Sequence, residues 1–235
     1  MMKLLVGFDN KTYPGVNEFK SIGRCKFINY DDSSLIKNIS SCDILIPHLR
    51  IRIDNEVLKH AKNLKIVATP STGKDHIDES ELKKRNIKLI TLNEDKNFLK
   101  KISSTAEMNW LLILSCIRNL RFLIDRIQKE KKWTNSDIRG HELNGKTIGI
   151  IGYGRLGKKV AQYSKSFGMK VLVYDINKIR PSKSISFANL NKLLATSDII
   201  SVNVKLNPSS KNMISYEQVS KMKKGAIFVN TSRGG

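Results

Sequence analysis

Gly152, Gly154 and Gly157 constrain this chain more than any other feature. They sit in the run GKTIGIIGYGRLGKKVAQYSKSFGMKVLVYD, residues 145–175. Residues 147–151, Thr-Ile-Gly-Ile-Ile, are rich in β-branched side chains and predict a strand, and residues 155–167 carry helical spacing. A bare G-x-G-x-x-G is a weak motif, but between a strand and a helix it becomes specific. Gly152 permits the tight turn, Gly154 lets the backbone approach a ligand, and Gly157 lets the helix pack on the sheet. The free N–H groups of the helix then face outward at the positive end of its dipole, which suits a pyrophosphate. Tyr153, Arg155 and Leu156 complete the loop, and Arg155 offers a charged contact. At the end of the next strand stands Asp175, about 20 residues on, where a carboxylate accepts hydrogen bonds from ribose hydroxyls. It would repel a 2′-phosphate, so NAD is expected over NADP; Lys178 and Arg180 nearby work against that preference. The competing explanation is a glycine turn that merely packs a βαβ unit.

The rest of the chain repeats the strand–helix rhythm. Candidate strands are 3–8, 26–28, 43–46, 65–68 and 88–90, with helical spacing over 53–61 and 78–85. A second series has strands at 147–151, 170–174, 199–202 and 226–230 and helices at 155–167, 190–195 and 216–222. This alternation predicts an α/β protein with two doubly wound parallel-sheet domains, the second a Rossmann-type dinucleotide-binding domain. Between the two series, residues 103–128 read as one long linking helix with Met108, Leu111, Leu112, Ser115 and Leu120 on a broad apolar face. The polar stretch 140–145 reads as a boundary loop.

Composition narrows the function classes. Hydrophobic residues make up 40% and charged residues 27%, as in ordinary globular proteins. The longest apolar run, 110–117, is far shorter than the roughly 18 residues of a membrane span. The N-terminus lacks the apolar core of a signal peptide. Cys25, Cys42 and Cys116 are odd in number and far apart, and neither they nor the four histidines have ligand spacing. They are expected to be buried thiols in a reducing cytoplasm, with no metal site. The net charge of +21 would suit a nucleic-acid binder, but the lysines are spread through almost every segment and no nucleic-acid motif is present. The expectation is therefore a lysine-biased surface, with no nucleic-acid or membrane partner.

The segment LLATSDIISVNVKLNPSSKNMISYEQVSKMKKGAIFVNTSRGG, residues 193–235, resembles the D-isomer-specific 2-hydroxyacid dehydrogenases, the group that includes phosphoglycerate dehydrogenase. The matching pieces are Ser197–Asp198, the strand into Val204, residues 222–226 and the Asn230-Thr231-Ser232-Arg233-Gly234 motif. ATPSTGKDHID at 68–78 and STAE at 104–107 also fit, so the resemblance covers essentially the whole chain. It implies NAD-dependent hydride transfer between a 2-hydroxy acid and a 2-oxo acid, with a phosphoglycerate-like substrate among the candidates. It implies a flavodoxin-like substrate-binding domain over 1–102, lacking its C-terminal return segment, and a Rossmann NAD-binding domain over 103–235, incomplete at its C-terminus. Arg233 matches the arginine that grips the substrate carboxylate, as its planar, permanently charged fork suits. Asn203 and Val204 match the adenine side, although family members often carry His and Pro at the positions of Asn203 and Lys205. Thr231 and Ser232 match the nicotinamide end, and the loop of Ser71, Thr72 and Gly73 matches the backbone cradle for the substrate carboxylate. Arg50 and Arg52 read equally well as cleft-facing groups or as a solvated face. The family's acid histidine lies elsewhere, so His76 is expected to be structural.

The resemblance places that histidine, and the glutamate that tunes it, beyond the Arg233 motif. The expectation is therefore a C-terminally truncated dehydrogenase that turns over little. The alternative is a non-catalytic NAD-binding module or pseudoenzyme. A homodimer built around 103–128 is implied by resemblance, as is a cytoplasmic location.

Overall fold

The computed structural model describes residues 1–8, 16–29, 31–131, 139–177 and 184–234. Lys178 and Arg180 lie outside them. The chain divides into two compact units, Met1–Leu99 and Lys100–Gly235.

The first unit contains β1 (Lys3–Val6), α1 (Val16–Ile22), β2 (Arg24–Phe27), α2 (Asp32–Ile39), β3 (Ile44–Ile46), α3 (Asn55–Leu58), β4 (Ile66–Thr69), α4 (Glu79–Lys84) and β5 (Lys88–Thr91). A 3-10 turn, Leu92–Glu94, and α5 (Lys96–Lys101) follow. All strand pairs are parallel, in the order β2-β1-β3-β4-β5. This is the flavodoxin-like order. A parallel sheet is covered on both faces, and β3 is accordingly Ile-Leu-Ile, buried at each position. Leu5, Leu45 and Val67 form the centre of the core with Leu35, Ile39 and Leu58 from the helices. Aspartates start the helices: Asp31, Asp54 and Asp78 accept backbone N–H bonds at the first turns of α2, α3 and α4. Each such cap contributes about 1 kcal/mol.

The second unit contains α6 (Ser104–Ile117), α7 (Leu120–Glu130), β6 (Thr147–Ile151), α8 (Arg155–Ser166), β7 (Lys170–Tyr174), β8 (Ser186–Phe187), α9 (Leu190–Thr196), β9 (Ile199–Val202), α10 (Tyr216–Ser220) and β10 (Ile227–Asn230). Its parallel sheet runs β10-β9-β6-β7-β8. Counted from β6 this is 3-2-1-4-5, the Rossmann order, so the expected fold class is borne out. The chain leaves β6 toward β7 and β8, then returns to the other side of β6 with β9. The topological switch point therefore lies between the ends of β6 and β9.

Three expectations need correction. Residues 103–128 are not one helix: α6 ends before Asn119, which adopts a left-handed conformation (φ 52°), and α7 begins after it. The Asn119 side-chain amide donates to the Arg139 carbonyl at 2.7 Å, fixing the break. Nor does α6 bury the face read from the sequence. Ala106, Asn109, Trp110, Ile113 and Ile117 point inward, while Met108, Leu111 and Leu112 are exposed. The helix is apolar nearly all round, so its periodicity singles out no face. Finally, Cys42 is buried and Cys25 half-buried, but Cys116 is exposed on α6.

Candidate functional site

β6 delivers the chain to Gly152, whose φ of +91° is open to glycine at little cost. A side chain there would also meet the Asn203 carbonyl at 2.8 Å. Gly157 answers to packing, since a Cβ on it would lie 2.0 Å from the Gly152 carbonyl oxygen. Gly154 is different. Its φ is −74°, available to any residue, and a Cβ would meet nothing within 4 Å. Neither strain nor packing within the chain requires a glycine there. It sits at the cap of α8 with no side-chain cap bond. A bare backbone at the start of a helix fits the close approach of a phosphate.

Asp175 follows β7 and is tied to this turn. One carboxylate oxygen accepts the Tyr153 N–H at 2.7 Å, and the other accepts from the Asn177 backbone at 2.8 Å. The Asn177 side-chain amide donates to that second oxygen as well, at 3.2 Å, so the oxygen bound to Tyr153 is the one that keeps a lone pair: the group can hold the loop and still accept from a sugar hydroxyl there. The Tyr153 ring packs against Phe187, with Lys158 over its face. Burial pushes its phenol above the usual range. Leu156 is half-buried against the same core. Arg155 places a guanidinium N–H on the Ile102 carbonyl at 2.6 Å, which ties the loop to the approach of α6.

The ends of β9 and β10 stand beside the turn. The Asn203 backbone N–H donates to the Ile151 carbonyl at 2.7 Å, and a Cβ on Gly152 would lie 2.8 Å from the Val204 Cγ1. After β10, the Ser232 hydroxyl donates to the Val202 carbonyl at 3.0 Å and the Asn230 amide to the Arg233 carbonyl at 2.8 Å. These bonds fold the Thr231-Ser232-Arg233 segment back over β9. Arg233 is exposed, with one N–H on the Ser232 carbonyl. The fold thus brings the Gly152–Gly157 turn, Asp175, Asn203, Val204, Thr231, Ser232 and Arg233 to the C-terminal edge of one sheet, where open α/β sheets bind ligands. Ser197 and Asp198 lie at the opposite edge, and Asp198 accepts the Thr147 N–H and pairs with Lys223.

In the first unit, Ser71, Thr72 and Gly73 follow β4. The Ser71 hydroxyl donates to the Gly73 carbonyl at 2.6 Å, and the Asn93 amide holds the Thr72 carbonyl at 2.9 Å. His76 is buried, and its backbone carbonyl accepts from Ile53. Arg52 is exposed beside Asp54, at 3.5 Å, and Arg50 is exposed. Sequence reasoning passed over His48, at the same edge as Ser71. Its Nδ1 accepts the Arg50 N–H at 3.1 Å, and Phe8 packs edge-on at 5.4 Å. Burial, then the Arg50 charge, lowers its pKa from the ordinary imidazole value, which favours the neutral ring. Among the described residues no His, Cys, Asp and Glu cluster could hold a metal ion.

Fold and site together define a dinucleotide-binding α/β protein with two parallel sheets. Residues 110–235 match the NAD-binding domain of the D-isomer specific 2-hydroxyacid dehydrogenases, and residues 11–98 match the catalytic domain of the same family. The chain belongs to that family, and NAD is the cofactor of the matched domain. It is similar to a hydroxypyruvate reductase of Thermotoga maritima, 35% identical over 205 residues, covering 87% of this chain and 65% of that protein. A glyoxylate reductase of Thermofilum pendens is 38% identical over 208 residues, covering 85% and 60%. The chain thus spans less than two thirds of the length of these curated relatives. Among solved structures, D-lactate dehydrogenase from Aquifex aeolicus, complexed with NAD and lactic acid, superposes with a TM-score of 0.86 at 30% identity. The match covers 99% of this chain and 69% of that one.

Proposed function

We propose that this protein is an NAD-dependent oxidoreductase of the 2-hydroxyacid type, acting between a small 2-hydroxy acid and its 2-oxo acid. One observation carries the reading: Gly154, at the exposed start of α8, needs no glycine for the chain's own sake. The backbone N–H groups of the 152–157 turn hold the pyrophosphate, and Asp175 accepts from the adenosine ribose. Asn203 and Val204 flank the adenine side, and Thr231 and Ser232 the nicotinamide side. When bound, the nicotinamide supplies or accepts a hydride. Arg233 grips the substrate carboxylate and draws electron density from the neighbouring carbonyl. In the first unit, Ser71, Thr72 and Gly73 form a loop suited to receiving a carboxylate on its backbone N–H groups. The relatives' names make glyoxylate and hydroxypyruvate the first 2-oxo acids to try as hydride acceptors from NADH, and phosphoglycerate the first 2-hydroxy acid to try as a donor to NAD.

We further propose a homodimer, supported by the exposed apolar residues of α6 and α7, and slow turnover for residues 1–235 on their own. His141 is the one histidine of the second unit, and it precedes β6, on the edge away from Arg233. Where general acid catalysis is missing, the rate falls by a factor of about 100 to 10,000. The test is calorimetric titration with NADH and NADPH, followed by NADH oxidation with the 2-oxo acids and NAD reduction with phosphoglycerate. NADH should bind at least tenfold more tightly than NADPH, and Asp175→Ala should erase the difference. Equal affinities in the unaltered chain would remove Asp175 from its role, and rapid turnover would show that an acid is already present.

A further inference from the structure

α6 carries one polar side chain into an otherwise apolar interface. Asn109 is fully buried, flanked on the inward face by Ala106, Trp110, Ile113 and Ile117. A buried amide is costly unless its groups are paired, and an alanine or leucine would serve the helix better. Asn109 is paired at both ends. Its Oδ1 accepts the Ser201 hydroxyl at 3.0 Å, and its Nδ2 donates to the Thr231 hydroxyl oxygen at 3.1 Å. Ser201, also fully buried, in turn accepts from the Asn203 amide at 2.9 Å. The relay runs from the residue beside the Gly152 turn to the Thr231-Ser232-Arg233 segment, joining the ends of β9 and β10 through a helix far away in sequence.

The relay has a fixed direction. The Asn203 amide nitrogen also faces the Ser201 main-chain carbonyl at 3.2 Å, and a carbonyl can only accept. So the nitrogen, not the oxygen, of Asn203 faces Ser201. The Ser201 oxygen therefore accepts, and its one proton goes to Asn109 Oδ1. The Asn109 NH₂ is then left to face Thr231, whose oxygen must accept. The single proton of Thr231 is consequently not used within the relay.

We propose that Asn109 is a positioning residue that sets the Thr231 hydroxyl as a hydrogen-bond donor at the C-terminal edge of the sheet, toward an oxygen acceptor on the nicotinamide half of the dinucleotide. The carboxamide oxygen of the nicotinamide, which ADP-ribose lacks, has the required chemistry. The inference rests on the dinucleotide reading above and deepens it, assigning to the second half of the cofactor a contact that the glycine turn and Asp175 cannot make.

The experiment compares NADH with ADP-ribose, which lacks the nicotinamide, by calorimetry on the full chain. Thr231→Val and Asn109→Leu should each weaken NADH by about 5- to 10-fold, the size of one lost hydrogen bond. ADP-ribose affinity should stay within about twofold. The double variant should be no weaker than Thr231→Val alone, because both remove the same contact. Thr231→Ser, which keeps the hydroxyl, should bind NADH like the unaltered chain. Thr231 is only half-buried, so its variants fold even if Asn109→Leu does not. Unchanged NADH affinity in Thr231→Val overturns the proposal. So does an equal loss of NADH and ADP-ribose, which would make the relay a fold element only. If the unaltered chain binds ADP-ribose but gains nothing from the nicotinamide half, this inference fails and the dinucleotide site stands. If it binds neither, the dinucleotide reading itself fails.

Discussion

Gly154 and Gly157 belong to one motif but answer to different forces, and this can be measured. Gly154→Val adds a Cβ that meets nothing within 4 Å at an allowed φ, so the melting temperature should move by only about 2–4 °C, the scale of a poorer N-cap residue. NADH affinity should nevertheless fall at least tenfold, because the side chain occupies the approach to the helix start. Gly157→Ala places a methyl group 2.0 Å from the Gly152 carbonyl oxygen. Backbone must shift, and overpacking of this kind costs about 1–3 kcal/mol or more. Thermal denaturation and NADH titration of the two variants should therefore separate: binding lost with most stability kept for Gly154, stability lost first for Gly157. Equal stability losses would mean that the space beside Gly154 is not open.

At the scale of elements, the second sheet is clamped at the edge away from the site. Asp198 accepts the Thr147 N–H at 2.8 Å, pairs with Lys223 at 3.0 Å, and its own backbone bonds both β6 and β10. Burial raises its pKa, but the Thr147 N–H and Lys223 outweigh that and hold the carboxyl below the ordinary 3.8. A carboxylate with a lowered folded-state pKa stabilises the fold above its unfolded value, and the contribution disappears as pH falls through the folded one. Asp198→Asn should therefore cost about 1–2 kcal/mol at neutral pH, the scale of a broken charged hydrogen bond. The deficit should shrink below pH 3.8 as the native carboxyl takes up its proton. Urea denaturation of both proteins between pH 3 and pH 7 reads this directly, and a deficit independent of pH would assign the loss to packing.

For the whole molecule, the question is what covers α6 and α7. Phe122 is 64% exposed, Leu111 52% and Ile124 43%, and α7 buries no side chain at all. Exposed apolar residues gathered on two consecutive helices mark an interface more often than a solvated surface. Light scattering at micromolar concentration should give twice the chain mass. Phe122→Glu should halve it and leave the far-ultraviolet circular dichroism unchanged. A monomer before substitution would remove the homodimer.

The sequence by itself determined the strands other than the two-residue β8, the parallel sheets and the glycine turn, because each is written in neighbouring residues. The alternation around β6, β7 and β9 and the spacing Gly152-Gly154-Gly157 need no knowledge of distant chain. The motif at Asn230–Gly234 and Asp175 were legible for the same reason. The faces of α6 were not. An almost uniformly apolar helix declares that it packs, but which side packs depends on where the sheet lies. Asn109 was invisible among Met108, Trp110 and Leu111, since its partners Ser201 and Thr231 stand 92 and 122 residues away. His48 likewise gained meaning only when folding set it against Phe8 and the Arg50 backbone. Local patterns choose elements, because backbone geometry repeats over a few residues. Only the tertiary structure chooses which polar groups meet inside, because a buried hydrogen bond is satisfied by proximity in space and leaves no trace in spacing along the chain.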